Sequence, residues 1–301
     1  MWKLSGALVV VCAGALAATP AQVERGQYIF KIADCSGCHS ERDFSRFAGP
    51  VVAGGTGKGM VFPPELGLPG KVVAPNITPD RETGIGAWSD QEKIRAIRDG
   101  VGRDGKVLFP MMPSHFYRAM SDRDVDSLVA YMNTLAPVKN SLPRTALPPG
   151  LQLPLPQAAG KVPHPDKADR VKYGKYLVTI AACADCHTPM GPQGLDTTKM
   201  FAGGREFNFP GGMRSVSANL TPDPETGIGK WTEDQFVKRF RIYEPYLKAG
   251  APKVEPHAFT IMPWLMLADA DEEDLRAMYA YLRSIPAVKA THRGDAQQVT
   301  D

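Results

Sequence analysis

Two stretches of the chain have apolar residues on a helical period, and they occupy matching places. Val125, Leu128, Val129, Met132 and Leu135 form one stripe, and Leu275, Met278, Tyr279, Leu282 and Ile285 form the other. Each predicts an amphipathic helix with one buried face. Ser121 followed by Asp124 marks the start of the first. Ser89 with Glu92 and Thr232 with Gln235 are capping-box pairs that open two further helices, each one residue after a tryptophan. The segments around Tyr28 and Tyr176 predict an opening helix in each half. Alternation of apolar and polar positions does not recur, so both halves read as all-α.

The pattern breaks twice. From Lys139 to Arg170 the chain carries Pro143, Pro148, Pro149, Pro154, Pro156, Pro163 and Pro165, which exclude regular helix and favour an extended, semi-rigid connection. At the start, Lys3, the apolar run Ala7 to Leu16 and the small-x-small site Ala15-Leu16-Ala17 read as a secretory signal over residues 1–18. The apolar run is shorter than the roughly 20 residues that span a bilayer as a helix. Retention as an anchor is the other reading of this segment. Cys12, preceded by Val9-Val10-Val11, leaves with the signal.

The two halves repeat one another at domain length. Gly26-Gln27-Tyr28-Ile29 answers Gly174-Lys175-Tyr176-Leu177, and Ala53-Gly54-Gly55 is set against Ala202-Gly203-Gly204. Asn76-Ile77-Thr78-Pro79-Asp80, Glu82 to Gly86 and Trp88 answer Asn219-Leu220-Thr221-Pro222-Asp223, Glu225 to Gly229 and Trp231. Met112 to Val138 aligns with Met262 to Val288 without a gap. The expected organisation is a signal over 1–18, a domain over 22–138, a proline-rich linker over 139–170, a second domain over 171–290 and a polar tail over 291–301.

Within each repeat lies Cys-x-x-Cys-His: Cys35, Cys38 and His39, then Cys183, Cys186 and His187. Two thiols three positions apart can each add to a haem vinyl group, and the adjacent histidine then lies beneath the iron. Two covalently bound haem c groups are expected. A zinc site would need the cysteine pairs to converge on one ion, and a redox dithiol would have no use for the histidine twice. Without Cys12 every cysteine is consumed by these motifs, so no structural disulfide is expected.

The ligand opposite each histidine separates an electron carrier from a haem enzyme. In the gapless alignment Met112-Pro113 meets Met262-Pro263, whereas Met111, His115, Met120 and Met132 each face an unlike residue. Met112 and Met262 are therefore the consistent second ligands, a soft neutral thioether that favours ferrous iron. Their other reading is as core methionines. His115 in the first half and His257 in the second are the competing ligands, read rather as surface or loop histidines, and His164 and His292 read as peripheral. Trp88 and Trp231 could pack on a porphyrin or in the core. The glycines after Thr-Pro-Asp read as loop residues that permit positive φ or close backbone approach.

The chain has 301 residues, 43% hydrophobic, with a net charge of +3 and no basic run, so nothing points to nucleic acid. On the haem motifs, Asn-x-Thr-Pro-Asp with Thr-Gly-Ile-Gly and Trp, Met-Pro, and the endings Ala130-Tyr131-Met132 and Ala280-Tyr281-Leu282, it resembles the multihaem cytochrome c subunits of bacterial periplasmic alcohol and aldehyde dehydrogenases. That resemblance implies tandem class I cytochrome c folds, with His39 and Met112 about one iron and His187 and Met262 about the other. It also implies an electron-transfer role with redox protein partners: a periplasmic dehydrogenase as donor, and a cytochrome or terminal oxidase as acceptor. Those subunits usually carry three haem domains, and this chain has two haem motifs. Membrane association is expected only through an uncleaved N-terminus or a partner. The competing function is a haem enzyme, either a dihaem peroxidase or a thiosulfate-oxidising cytochrome; the first needs an open iron and the second a spare cysteine.

Overall fold

A computed structural model of the chain describes residues 18–192 and 194–290. The signal read over 1–18 falls, apart from Ala18, outside the described residues, as does the tail over 291–301.

The first half contains α1 (Pro20–Ile32), α2 (Cys35–His39), α3 (Asp90–Asp99), α4 (Ser114–Tyr117) and α5 (Asp122–Met132). The second contains α6 (Arg170–Ile180), α7 (Cys183–His187), α8 (Glu233–Arg241), α9 (Glu244–Ala249), α10 (Trp264–Ala268) and α11 (Glu272–Ser284). Ser89 and Thr232 close complete capping boxes with Glu92 and Gln235. Ser121 caps α5 through the Asp124 amide. The Asp124 carboxylate does not reach back to the cap; it points into the interface between the halves.

In each half the first helix crosses the last at a glycine. A Cβ on Gly26 would lie 1.8 Å from the Ser127 carbonyl oxygen, and one on Gly174 1.8 Å from that of Ala277. Any side chain at these two positions would push the helices apart, which is why the repeat begins with glycine. The stripes on α5 and α11 are buried as expected, with Val125, Leu128, Leu275 and Met278 each at most 3% exposed. Strands are few and short: β1 (Met60–Val61) with β2 (Val73–Ala74), β3 (Met190–Gly191) with β4 (Gly194–Leu195), and β5 (Glu206–Phe209) with β6 (Met213–Val216), all antiparallel. The last is a hairpin turned at Pro210-Gly211-Gly212, an element that the helical reading of the second half did not include. Phe209 packs there against Phe259 and against Phe44 of the first half, with centroids 4.8 and 5.4 Å apart.

The halves meet through a reciprocal clasp. Tyr176 Oη donates to Asp124 Oδ2 at 2.6 Å, and Tyr28 Oη donates to Asp274 Oδ2 at 2.8 Å. The same hydroxyls accept from the amides of Ser121 and Asp271, both at 3.3 Å. Each tyrosine thus binds the start of the last helix in the other half, and the four residues occupy equivalent positions of the repeat. Within its own half Asp124 also accepts a two-pronged bond from Arg25, at 2.9 and 2.8 Å, while Asp274 accepts from Tyr173 at 3.2 Å.

The linker is extended, as its prolines require, and is strapped to the first half. Ala146 pairs with Lys71, Arg98 donates to the Gly160 carbonyl at 2.7 Å, and the Asp122 amide donates to Val162 at 2.9 Å. Its far end reaches the second half, where Lys167 lies 3.3 Å from Asp274. His164, expected to be peripheral, sits at the interface instead. Its Nδ1 is 3.1 Å from Ser121 Oγ, and its ring meets Tyr173 and Tyr176 edge-on. The strapping of the linker carries it there.

Burial alone would raise the Asp124 carboxyl, but the bonds from Arg25 and Tyr176 and the nearby His164 outweigh it and hold the group below its ordinary value. Its stabilisation is therefore complete above the usual carboxylate pKa of about 3.9 and is lost as pH falls through the depressed value. Asp124→Ala, which strands the Arg25 guanidinium, should cost about 3–5 kcal/mol in urea denaturation. Tyr28→Phe should cost only about 1 kcal/mol. Asp124→Asn should show a shallower loss of stability below pH 4 than the wild type.

Candidate haem-binding sites

Each Cys-x-x-Cys-His segment is a single helical turn, reached through one left-handed residue: Asp34 (φ 47°) before Cys35 and Ala182 (φ 50°) before Cys183. Such a residue in αL is strained. Here it reverses the chain between the end of the first helix and the motif, so that the turn starts at the first cysteine. The four thiols are half-buried and free of disulfides. Burial, with nearby carboxylates, pushes Cys38 up to about 12 and Cys186 likewise to about 12. Burial takes Cys183 to about 12 and raises Cys35 further. Thiols so hard to ionise are poor redox nucleophiles, since that role needs thiolate. Among the described residues no cluster of three His, Cys, Asp or Glu side chains suits a metal ion on its own.

His39 and His187 are 8% and 7% exposed. Nδ1 of His39 lies 2.8 Å from the Pro75 carbonyl oxygen, and Nδ1 of His187 lies 2.7 Å from that of Ala218. A carbonyl only accepts, so Nδ1 carries the proton and Nε2 keeps a lone pair for a metal. Burial also lowers the pKa of both rings, which keeps them neutral and able to ligate.

The accepting carbonyls are held by the repeated Asn-x-Thr-Pro-Asp loop. Asn76 Oδ1 accepts from the Thr78 amide at 2.9 Å and its Nδ2 donates to Val138 O at 2.7 Å; Asn219 does the same with Thr221 at 2.9 Å and Val288 at 2.8 Å. The loop is thereby tied to the segment after the last helix. Asp80 and Asp223 close the following turn by accepting from Thr83 and Thr226. The next glycines are required by close approach and not by positive φ: a Cβ on Gly84 or Gly227 would lie 2.3 or 2.1 Å from the Thr78 or Thr221 carbonyl. Trp88 and Trp231 are half-buried and pack on the cores.

One correspondence of the repeat is corrected by the structure. Gly59 donates its amide to His39 O at 2.8 Å, and Gly203 donates to His187 O at 2.7 Å. Gly57-Lys58-Gly59 therefore answers Phe201-Ala202-Gly203, and Ala53-Gly54-Gly55 lies outside the match. The longer loop of the first half had shifted the apparent register.

Met112 and Met262 occupy the same backbone feature. The Ser114 amide donates to Met112 O at 2.8 Å and the Trp264 amide to Met262 O at 2.7 Å, around Pro113 (φ −80°, ψ 49°) and Pro263 (φ −76°, ψ 55°). These are inverse γ-turns, stiffened by the proline φ. Both methionines are half-buried against the core, whereas Met120, Met132 and Met278 are sealed inside it. His115 and His257 are exposed. Met266 reaches the opposite half, where its sulfur accepts from Ser36 Oγ at 3.9 Å.

The residues present fit a covalently attached haem in each half: two thiols on one turn, a neutral imidazole with Nε2 free, and a half-buried thioether on a rigid turn. What reading the chain missed is the interface. Tyr28, Tyr176, Asp124 and Asp274 were all visible as repeated residues, but nothing local says that each pairs across the repeat.

The cytochrome c family pattern matches residues 23–136 and 171–286. Among curated proteins, the cytochrome c subunit of alcohol dehydrogenase (quinone) from Gluconobacter oxydans is 31% identical over 95% of this chain and 60% of its own length. The fructose dehydrogenase cytochrome subunit of Gluconobacter japonicus is 30% identical over 88% of this chain and 53% of its own length. A diheme cytochrome c-type protein of Cereibacter sphaeroides is 30% identical over 89% of this chain and 87% of its own length. The chain thus spans only 60% and 53% of the two dehydrogenase subunits, but most of the diheme protein.

Gly203→Ala and Gly59→Ala place a Cβ 2.5 to 2.6 Å from backbone atoms at a positive φ. Each should lose about 1–3 kcal/mol in chemical denaturation of the holoprotein, against a near-neutral effect at Gly160, which has no positive φ and where a Cβ meets only open space.

Proposed function

The chain belongs to the cytochrome c family as two tandem all-α domains and carries two covalently bound haem c groups; from that premise we propose that it is a periplasmic electron carrier. It would take single electrons from a dehydrogenase and pass them to a downstream cytochrome or terminal oxidase. The supporting observation is duplication of the whole site: a carbonyl-pinned histidine and a proline-stiffened methionine recur in both halves. Under this reading Cys35 and Cys38 anchor one haem and Cys183 and Cys186 the other. His39 with Met112, and His187 with Met262, hold the two irons.

Each bound haem supplies a one-electron ferric/ferrous couple. The residues around it act by position. The Pro75 and Ala218 carbonyls fix the imidazole planes and increase their donor strength. The Met-Pro turns hold sulfur in place, so that little reorganises when the charge changes. With imidazole and thioether on both irons no coordination position remains for peroxide, which separates this reading from a haem enzyme. The reciprocal tyrosine bonds keep the two motifs in fixed relation; Asp185 of the second motif is close enough to act on the Cys38 thiol of the first.

Export to the periplasm rests on the charged, apolar and small-residue sequence of Met1 to Ala18. Among the described residues no helix is long and apolar enough to cross a membrane. A dehydrogenase donor is suggested by the names of the relatives, and their longer chains leave its substrate open.

Intact mass of the exported protein should exceed the polypeptide by two haems, and the double change Cys183→Ala with Cys186→Ala should remove one. Met112→Ala and Met262→Ala should each abolish the methionine–iron absorption of one haem and lower its midpoint potential. The wild-type protein should accept one electron per haem and show no turnover with hydrogen peroxide. Rapid peroxide turnover by the wild-type protein would refute the carrier assignment.

A further inference from the structure

The two sites share ligands, pinning carbonyls and clasp, but among the buried cations of the described residues only one, in the second half, lacks a carboxylate partner. With Ser89 set against Thr232, Arg239 on α8 falls opposite Ala96 on α3. Arg239 is 8% exposed. Its guanidinium carbon lies 4.3 Å from the Trp264 ring centroid and 5.3 Å from that of Tyr243, and Nη1 donates to Tyr243 Oη. Nε is sealed from solvent without a hydrogen-bond partner.

The buried cations of the first half are answered differently. Lys93 pairs with Asp90 at 3.2 Å and Arg98 with Asp122 at 2.6 Å. Arg98 Nε and Arg95 Nε are also unpartnered, but Arg98 keeps its carboxylate, and Arg95 is only half-buried with Nη2 on the Gly102 carbonyl. Among the described residues Arg239 forms no ion pair; its neighbours are aromatic faces.

Trp264, the ring beneath the guanidinium, follows Met262 by two positions and donates its amide to the Met262 carbonyl at 2.7 Å. The charge is therefore one side chain away from the second Met-Pro turn, among buried side chains where a charge is screened less than at the surface. A fixed positive charge near an iron opposes the ferric form, which carries one more positive charge than the ferrous form.

We propose that Arg239 makes the two haems unequal, raising the potential of the one held by His187 and Met262, so that an electron entering the chain moves downhill from the first domain to the second. The transfer converts ferrous iron in the first domain to ferric and ferric iron in the second to ferrous, with no bond broken and no proton moved. The proposal rests on the ligation by Met112 and Met262 set out above. Arg239 is a ligand of neither iron in that reading and would act as a tuning residue from its place over Trp264.

Spectroelectrochemical titration of the purified holoprotein tests it. The wild type should titrate in two resolved one-electron waves. Met262→His should displace the upper wave alone, and Met112→His the lower wave alone. Arg239→Gln should bring the upper wave down towards the lower, with the lower wave and both methionine–iron absorptions unchanged. Arg239→Lys, which keeps the charge, should preserve most of the separation. Arg239→Met serves where the glutamine variant fails to load both haems, and the order of the wild-type waves is read without either. A single two-electron wave, an upper wave that follows Met112→His, or an Arg239→Gln protein with both midpoints unmoved would each overturn the proposal while leaving the ligation intact. Waves unmoved by Met262→His would instead remove that ligation, and the proposal with it.

Discussion

Each half is organised around one hydrogen bond, from an imidazole Nδ1 to a backbone carbonyl. Pro75 accepts from His39 at 2.8 Å and Ala218 from His187 at 2.7 Å. The bond sets the tautomer, leaves Nε2 available and fixes the ring plane. It can do so only because its acceptor cannot move. The next residue, Asn76 or Asn219, reaches past Thr78 or Thr221 to the carbonyl of Val138 or Val288. The chain beyond the last helix thus braces the loop, the loop orients the histidine, and the histidine stands on a turn whose backbone is constrained at Asp34 or Ala182. Rigidity of this kind suits a protein whose reaction changes only charge.

The same economy governs the joint between the halves. A tyrosine hydroxyl accepts from the amide at the start of a helix and donates to the buried carboxylate three residues on, so one side chain satisfies two polar groups of the opposite half. Asp124 and Asp274 are 0% and 1% exposed, a placement that would be costly without such partners. The balance differs between them: Asp124 has the full charge of Arg25, while Asp274 leans on Tyr173 and the more exposed Lys167.

Much of this was legible where the physics is local. Ser89 and Thr232 announce helix starts through bonds to residues three positions on, and the structure contains both boxes. The spacing of Cys35, Cys38 and His39 carries its own chemistry. Gly26 and Gly174 were read only as repeat markers, because their cause is the Ser127 or Ala277 carbonyl of a helix a hundred residues away. Tyr28 and Tyr176 were illegible for the same reason, as was the place of His164, which depends on the path of the linker over the first half. The register of the glycines after each motif was misjudged because adjacent Gly-Gly pairs attract the eye, whereas the structure selects the glycine whose amide meets the histidine carbonyl.

The reciprocity of the tyrosine bonds has an evolutionary reading. Contacts in which position i of one copy meets position j of the other, and j meets i, have the self-complementary geometry of a two-fold homodimer. The molecule is built as such a dimer with its subunits joined covalently. Fusion releases the copies from the obligation to be identical, since a change in one is no longer imposed on its mate. An arginine could then arise opposite an alanine, and a symmetric pair could acquire a front and a back.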